Sequence, residues 1–512
     1  MKSIRNLMCK QQNINQLEHD LKLELGIETI VIHTHISLLI ITPIHTYKIK
    51  KAKDLGFLNF QSLESRKHFC NEEIRLNKIT APTIYITSTP IYYLEGRFTL
   101  LKQKSPPVEF AVKMNSFKQG NLLTNCWDKI NNKQLIDLSQ TLALFHLEKA
   151  ETSEEITNFG TFSRLKDIAQ SNLLSVKNYT GITIVKNEYD ILEENTLSYF
   201  QSQKLQDTFS IRRQQKKIRA CHGDLHLNNL CVIDDRIIPF DCIEFNKEFH
   251  YIDTLYDLFF LIMDIYFKGY EEKALIVLSS YLEKTNDYFS INIFPLYLAM
   301  RATIRGKVIS METKDASISE SQRNKSSNLA SKYLNFANSV LNPKSGKVII
   351  VSGLSGSGKT FLSKKIQERF PAIHLRSDVI RKLEFKSNHD LYDSSTSIKT
   401  YDKLLDYCIN LSENGFNSIV DATFLDIDIR NKFIESLQKM NISYSWIYCK
   451  QDTDTLKSRI SNRKNDYSDA TVSVLENQQN KFDEEDFLNV IKPYIYVDNK
   501  DFESIITLIL SE

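Results

Sequence analysis

The feature that most constrains this chain is an eight-residue segment that matches the phosphate-binding pattern GxxxxGK[ST] at every position. The segment consists of Gly353, Leu354, Ser355, Gly356, Ser357, Gly358, Lys359 and Thr360. It follows the apolar run 348–351 and precedes a helical pattern, the context in which glycines turn backbone N–H groups toward phosphate oxygens. The helix N-terminus adds a positive dipole end. The sequence therefore predicts a nucleotide site, with Lys359 at the β- and γ-phosphates and Thr360 on Mg²⁺.

A polar segment with Pro and Gly at 342–346 separates this region from the residues before it, and the rhythm of the sequence changes there. Beyond it, short apolar runs alternate with helical patterns; the runs lie at 347–352, 373–375, 418–420, 443–449 and 495–497. Strands that alternate with helices favour a parallel sheet covered on both faces. We therefore predict an α/β domain with a parallel sheet over residues 343–512.

Charged residues at the ends of two of these predicted strands are candidates for chemistry beside the phosphates. Asp421 ends one run and is placed to hold the Mg²⁺ shell, although a helix-capping carboxylate has the same appearance. Asp378 and Arg381 follow the second strand at i, i+3 spacing, so both can lie at the carboxyl edge, where ligands bind. Asp378 is there a candidate base and Arg381 a candidate anion-binding group; the alternative is an N-cap with a surface ion pair.

Two further arginines, Arg459 and Arg463, lie one helical turn apart and can fold over transferring phosphate charge, although a solvated basic face has the same spacing. With the element from Ser377 to Arg381, residues from about 347 to 512 resemble the P-loop small-molecule and polynucleotide kinases. That resemblance implies that Asp378 is the general base, that Arg381 binds the acceptor, and that Arg459 and Arg463 belong to a lid.

The first half carries a second constellation, His222-Gly223-Asp224-Leu225-His226-Leu227-Asn228-Asn229, followed by a turn, a strand and Asp241. In phosphoryl transfer, one Asp orients the attacking hydroxyl, while a nearby Asn and an Asp on the next strand hold Mg²⁺. Asp224 is the candidate base, and Asn229 and Asp241 are the candidate metal ligands. Two alternatives are a zinc pair formed by His222 and His226, which needs a helix, and a polar turn between strands.

This pattern resembles the aminoglycoside phosphotransferases and choline kinases over about residues 28–310. The resemblance implies a two-lobed, protein-kinase-like fold in which a strand lysine contacts the phosphates and pairs with a helix glutamate. Lys48 or Lys50 fits the lysine, with Lys48 preferred; Glu72 or Glu73 fits its partner, and Glu72 is the residue we predict. The turn expected to cover the phosphates, residues 34–37, departs from the pattern because it contains no glycine.

The amino-acid composition restricts the possible functions but does not point to a particular partner. Lys and Arg number 65 and Asp and Glu 63, a balance that gives no general argument for nucleic acid or a membrane surface. The eight cysteines form no CxxC pair, which argues against a disulfide framework. The longest apolar runs fall far below the ~18 residues of a bilayer span, and the start lacks the apolar core of a signal peptide. We therefore expect a cytoplasmic protein.

Both halves in this order resemble the bacterial bifunctional aminoglycoside phosphotransferase/ATP-binding proteins; the motifs that carry the likeness lie at 47–51, 55–58, 301–307 and 421–425. The expected fold is an α+β kinase-like domain over 1–342, with lobes at about 1–114 and 115–342, followed by the α/β domain. The expected function is Mg²⁺-assisted transfer from ATP to a hydroxyl of a small metabolite, nucleotide or polynucleotide end. The alternatives are an ATP-hydrolysing switch and a toxin-like kinase of a sugar nucleotide. The oligomeric state stays open.

Overall fold

The computed structural model describes residues 13–26, 28–315, 318–385, 393–462, 470–491, 494–497 and 507. The chain divides into two compact units, one running to Thr161 and including Arg212–Leu261, the other comprising Phe162–Ile211 and the residues from Ile262 onward. Among the described helices, none combines the length and the apolar character that a bilayer crossing needs.

The first unit is built on a six-stranded sheet. Its strands and those of two smaller ladders are β1 Ile30–His33, β2 Ser37–Ile41, β3 His45–Lys50, β4 Tyr85–Leu94, β5 Arg97–Thr99, β6 Glu109–Asn115, β7 Ile218–Ala220, β8 Leu230–Ile233, β9 Arg236–Pro239 and β10 Tyr251–Asp253. The large sheet has the order β1-β2-β3-β6-β4-β5 with antiparallel pairing throughout; β8 pairs with β9, and β10 with β7. The helices of this unit are Ile14–Leu25, Leu63–Thr80, Leu123–Cys126, Asn132–Leu144, Glu154–Thr157 and Lys247–His250.

The helix Leu63–Thr80 is fixed against this sheet by its cap and by one apolar face. The Ser62 side chain accepts a hydrogen bond from the backbone N–H of Ser65, which satisfies a donor at the helix N-terminus. Cys70 and Ile74 are buried in a cluster with Val112 of β6. Since Val112 is the register partner of Lys48 in β3, this packing brings the helix beside the strand lysine.

The second unit combines a helical region with a parallel sheet. Helices Phe162–Lys177, Lys186–Tyr199, Glu271–Thr285, Phe294–Glu312 and Glu320–Leu341 form the helical region, while Gln203–Gln214 and Thr254–Phe267 run across the division between the units. The sheet contains β11 Val348–Ser352, β12 Ala372–Arg376, β13 Asn417–Asp421, β14 Tyr444–Cys449 and β15 Tyr494–Val497. Its helices are Lys359–Gln367, Ser377–Glu384, Ser394–Glu413, Ile427–Lys439, Thr453–Ser461, Val472–Lys481 and Glu484–Val490.

The sheet order is β12-β13-β11-β14-β15, and every pairing is parallel. Every residue of the central strand β11 is buried, as expected for a strand covered on both faces. The predicted parallel α/β sheet is therefore confirmed. Because β11 lies between β13 and β14, the loop after it opens at the carboxyl edge where the strand order reverses, which is where ligands bind in such sheets.

Candidate functional site

The loop after β11 has the backbone shape that the glycine pattern predicts. Gly353, Gly356 and Gly358 have φ angles of 135°, 85° and 98°, a region that L side chains rarely adopt. A Cβ at Gly353 would lie 2.3 Å from the carbonyl oxygen of Cys449, so a side chain has no room there. Gly358 directly precedes the helix Lys359–Gln367. The loop therefore curls around a helix N-terminus, the backbone shape that binds an anion, although the Ser355 and Ser357 amides already donate to Gln478 and to the carbonyl of Leu354.

Two oxygen ligands meet at the base of this loop. The Thr360 hydroxyl donates a 2.6 Å hydrogen bond to Oδ2 of Asp421, at the end of β13. The Lys359 ammonium donates to the carbonyl of Leu354, 2.8 Å away, within the loop itself. Among the described residues, the buried hydroxyl of Ser357 finds no hydrogen-bond partner. A carboxylate, a hydroxyl and an unsatisfied polar atom are a donor set that suits Mg²⁺ and phosphate oxygens.

The carboxylate of Asp421 is held in its charged form. Burial by itself raises the pKa of Asp421, but His374 and Lys359 outweigh it and lower that pKa to about 2. The His374 imidazole lies with Nε2 3.5 Å from the same Oδ2 atom. Asp421 is therefore an anion at neutral pH, ready to hold a cation.

The predicted base and its arginine lie together after β12. In the helix Ser377–Glu384, Arg381 donates to Oδ1 of Asp378 at 3.1 Å. Arg381 is buried, while 29% of the Asp378 side chain is exposed. Asp378 therefore presents a carboxylate to solvent at the carboxyl edge, with its orientation set by a buried guanidinium.

Two helices from the region after β14 contact the phosphate loop. Arg459 lies with Nη1 3.4 Å from the carbonyl of Gly356, so the predicted lid arginine reaches the loop. Gln478, which the sequence analysis did not single out, accepts a 3.0 Å hydrogen bond from the Ser355 amide. Leu354 packs against the apolar cluster of Leu456, Ile460 and Leu475. Arg463 lies outside the described residues.

A second cluster of charged groups forms in the first unit. Lys48 of β3 pairs with Oε1 of Glu73 at 2.9 Å and also contacts Asp241. Lys50, two residues on and on the same face of the strand, pairs with the other oxygen of Glu73 at 2.7 Å and contacts Glu244. Burial alone would lower the pKa of Lys48, but Asp241 and Glu73 outweigh it and hold that pKa well above its ordinary value. Lys48 is therefore fully protonated.

The partner of the strand lysine is Glu73, not Glu72. Glu72 faces solvent and pairs with Arg75 on its own helix. The physical reason is helical periodicity: Glu73 shares the buried face with Cys70 and Asn77, three and four residues away. Burial raises the pKa of Glu73, but Lys48 and Lys50 outweigh it and lower that pKa to about 2. We therefore replace Glu72 with Glu73 in this candidate site.

The loop between β7 and β8 places the predicted base beside a predicted metal ligand. Asn229 donates through Nδ2 to Oδ2 of Asp224 at 3.0 Å. The side chain of Asp224 is 37% exposed, and His226 lies with Nε2 3.3 Å from the same carboxylate. Asp241 follows β9 with a φ of 62°, a backbone conformation that non-glycine residues adopt at a cost. These carboxylate and amide oxygens are a donor set of the kind that Mg²⁺ prefers.

The rest of this loop is braced from beneath. Asp257 accepts hydrogen bonds from the backbone amides of His222 and Gly223 at 3.0 and 2.8 Å, and it pairs with His146. His222 Nε2 donates to the carbonyl of Phe240 at 2.9 Å, and burial lowers its pKa. His146, Asp257 and Cys221 lie close enough to share an ion, but both oxygens of Asp257 already hold the loop amides. His222 contacts the carbonyl of Phe240, whereas His226 contacts the carboxylate of Asp224. His222 therefore supports the loop.

The sheet order, the glycine loop and the Thr360–Asp421 pair define residues from β11 onward as a P-loop, kinase-like nucleotide-binding domain. A family model described as an AAA domain matches residues 348–485 of the chain. Uncharacterized proteins of Mycobacterium bovis and Mycobacterium tuberculosis are 22% identical over 453 residues, which cover 86% of this chain and 87% of each relative.

Solved kinases are among the structures that are similar to part of this chain. A gluconokinase from Sinorhizobium meliloti 1021 is 17% identical, with 33% of this chain and 92% of that chain covered and a TM-score of 0.25. The Mycobacterium tuberculosis APS kinase in complex with AMPPNP and APS is 15% identical, with 33% and 98% covered and a TM-score of 0.25. The assignment of the domain rests on its own sheet order, its loop and the family match.

Proposed function

We propose that the chain is an ATP-dependent phosphotransferase whose P-loop domain transfers the γ-phosphoryl group to a hydroxyl acceptor. The observation that carries this proposal is the hydrogen bond from Thr360 to Asp421 at the base of the phosphate loop. A hydroxyl and an ionised carboxylate meet there beside Lys359, an arrangement suited to Mg²⁺ and a triphosphate tail. Asp378, partly exposed at the same edge of the sheet, supplies a group that binding alone does not require.

The roles of the residues follow from where they lie. Amides of the loop 353–358, apart from those of Ser355 and Ser357, and the ammonium of Lys359 bind the phosphates. When bound, Mg²⁺ neutralises phosphate charge, and Thr360 and Asp421 are the residues that would hold it. Asp378 accepts the proton of the acceptor hydroxyl, while Arg381 orients Asp378 and binds the acceptor. Arg459, together with the sequence-predicted Arg463, stabilises the charge that spreads over the transferring group.

A second kinase-type site is proposed in the first half of the chain, on a two-lobed fold over residues 1–342. Lys48, held by Glu73, is the lysine for the α- and β-phosphates in this proposal. Asp224 is the base, and Asn229 and Asp241 are the ligands for Mg²⁺. The support is the buried pairing of Lys48 with Glu73 next to Asp241, which gathers in space residues that lie far apart in the sequence.

One observation favours a second candidate for this half, namely a binding site without turnover. The connection between β1 and β2 has three residues, and the amide of Thr34 donates to the carbonyl of Ser37 at 2.9 Å, which closes a tight turn. Lys51 donates through Nζ to the carbonyl of Thr34. A short, glycine-free turn offers few amides to phosphate oxygens. In this candidate the first half acts as a regulatory module of an ATP-driven switch.

The acceptor is proposed as a small metabolite, a nucleotide or a polynucleotide end. The test is incubation of the full chain with γ-labelled ATP, Mg²⁺ and pools of each class, followed by separation of the products. Label in an organic product supports the transferase. Label only in free phosphate contradicts it and favours the switch.

Matched variants assign the label to one half. Asp378→Asn removes the proposed base of the P-loop domain, and Asp224→Asn removes that of the first half. Asp406→Asn, an exposed carboxylate on the helix Ser394–Glu413, is the control and leaves transfer unchanged. Product that survives Asp224→Asn but not Asp378→Asn comes from the P-loop domain.

A further inference from the structure

A helix from outside the P-loop domain closes the edge of its sheet. Strand β12 is the edge strand, and the helix Glu271–Thr285 lies against it. The hydroxyl of Ser279 accepts hydrogen bonds from Nε2 of Gln367 at 2.8 Å and from the backbone amide of His374 at 3.1 Å. One serine thus satisfies an edge amide of β12 and a side chain of the helix that follows the phosphate loop. These two bonds fix the position of the helix along the strand.

One helical turn after Ser279, the same helix presents a carboxylate to the end of β12. Oε1 of Glu283 lies 3.1 Å from Nη1 of Arg376. The Arg376 side chain is 8% exposed and that of Glu283 is 24% exposed, so the pair is largely removed from water. A pair of this kind holds its partners more firmly than an exposed one, because solvent screens it less.

Arg376 is also the residue next to Asp421 in the sheet. The two are register partners in adjacent parallel strands, so their side chains emerge on the same face. His374, two residues earlier in β12, shares that face and reaches the Asp421 carboxylate. The charge of Arg376 is among those that lower the pKa of Asp421. An unrestrained guanidinium at this position would compete with a metal ion for the carboxylate.

We propose that Glu283 is a positioning residue of the P-loop site: it holds the Arg376 guanidinium to one side, which leaves the Asp421 carboxylate to Thr360 and to a divalent cation. This inference rests on the proposed function, since it gives Asp421 a metal to hold. It assigns to a helix outside the nucleotide-binding domain a direct part in metal use. The P-loop site is then complete only while that helix is docked.

The test measures ADP binding to the full chain by calorimetry, once with EDTA and once with MgCl₂. Glu283→Gln removes the charge that holds Arg376, so we expect the gain in ADP affinity on adding MgCl₂ to fall about fivefold or more. Binding in EDTA stays unchanged, because the phosphate loop is intact. Lys284→Gln, an exposed neighbour on the same helix, is the matched control and keeps the gain of the unmodified protein.

A second variant separates positioning from general support of the fold. Adding Arg376→Gln to Glu283→Gln removes the released guanidinium, so the double variant regains the MgCl₂ effect. A purely structural role predicts further loss instead, and that result overturns the inference, as does an unchanged MgCl₂ effect in Glu283→Gln. If Glu283→Gln fails to fold, Glu283→Asp replaces it, because Asp keeps the negative charge. We then expect the MgCl₂ effect on ADP affinity to be retained, and its loss would contradict the inference.

The first unit is identical in all these variants, so its own binding cancels in the comparison. An unmodified protein that does not bind ADP at all overturns the proposed function itself. If instead the unmodified protein binds ADP and Glu283→Gln shows the same MgCl₂ effect, only the proposed role of Glu283 is overturned.

Discussion

The two candidate sites gather similar groups by opposite means. In the P-loop domain the backbone shapes the site, since Gly353, Gly356 and Gly358 have positive φ angles that other residues rarely adopt. In the first unit the turn at 34–37 has no glycine, and side chains form the site instead. Lys48 and Lys50 each pair with one oxygen of the Glu73 carboxylate. The glycine loop is therefore shaped for an arriving phosphate, whereas the lysines of the first unit are already paired with carboxylates.

The charges of the two sites differ in the same way. In the P-loop domain, the Lys359 ammonium donates a hydrogen bond to the carbonyl of Leu354 in its own loop, and its charge helps to lower the pKa of Asp421. In the first unit, Lys48 contacts the carboxylates of both Glu73 and Asp241. A phosphate there must share Lys48 with them, at a cost in electrostatic energy. We therefore expect tighter nucleotide binding and faster turnover in the P-loop domain.

The largest expected effect tests which site turns over. Asp378→Asn removes the proposed base and should lower the rate of phosphoryl transfer by about 10²–10⁴-fold while ATP still binds. Initial rates with γ-labelled ATP and the acceptor that the labelling experiment identifies provide the measurement. Asp224→Asn should change that rate far less. The opposite ranking would reverse the comparison and make the first unit the working site.

A smaller effect tests the ion-pair cluster of the first unit. Glu73→Gln leaves two buried ammonium groups short of a counter-charge, so we expect a loss of about 3–5 kcal/mol in the free energy of unfolding. Glu72→Gln, the adjacent residue on the solvent side, should cost no more than about 1 kcal/mol. Chemical denaturation followed by circular dichroism measures both. Equal losses in the two variants would remove the distinction between these glutamates.

The smallest expected effect is the pH dependence of stability that His250 of the first unit contributes. Burial is the main cause that lowers the pKa of His250 in the first unit to about 4, against 6.5 unperturbed. Its unfolded form therefore binds a proton that the folded form rejects, so stability falls as the pH drops from about 6.5 to 4. The full loss from this residue is about 3 kcal/mol at most. His250→Gln should flatten that decline in unfolding curves, and an unaltered pH profile would contradict the assignment.

Features that depend on residues close together in the sequence could be predicted from local patterns. The glycine loop and the parallel sheet follow from motif and periodicity, and the structure contains both. The i, i+3 spacing also places Asp378 beside Arg381, although the ion pair that they form belonged to the alternative interpretation. The choice between Glu72 and Glu73 was open to the same reasoning, since the buried face of the helix includes Cys70 and Asn77.

Other features depend on contacts between distant segments. The apolar stretch 251–281 is one example: β10 occupies its start, and a turn at Gly269, with a φ of 82°, divides the rest into two helices. Gln478 and Glu283 reach the phosphate loop and β12 from positions more than 90 residues away. No spacing rule connects such positions, so only the folded chain brings them to the site.

The most direct test of the account is calorimetric titration of the full chain with ATP and Mg²⁺, beside the variants Lys359→Ala and Lys364→Ala. Lys364 lies exposed on the same helix and serves as the matched control. Loss of a charged contact to phosphate predicts about a hundredfold weaker binding, or complete loss of the tighter site, for Lys359→Ala alone. An isotherm for Lys359→Ala that superimposes on that of the unmodified protein would contradict the claim that the loop at 353–360 binds the nucleotide.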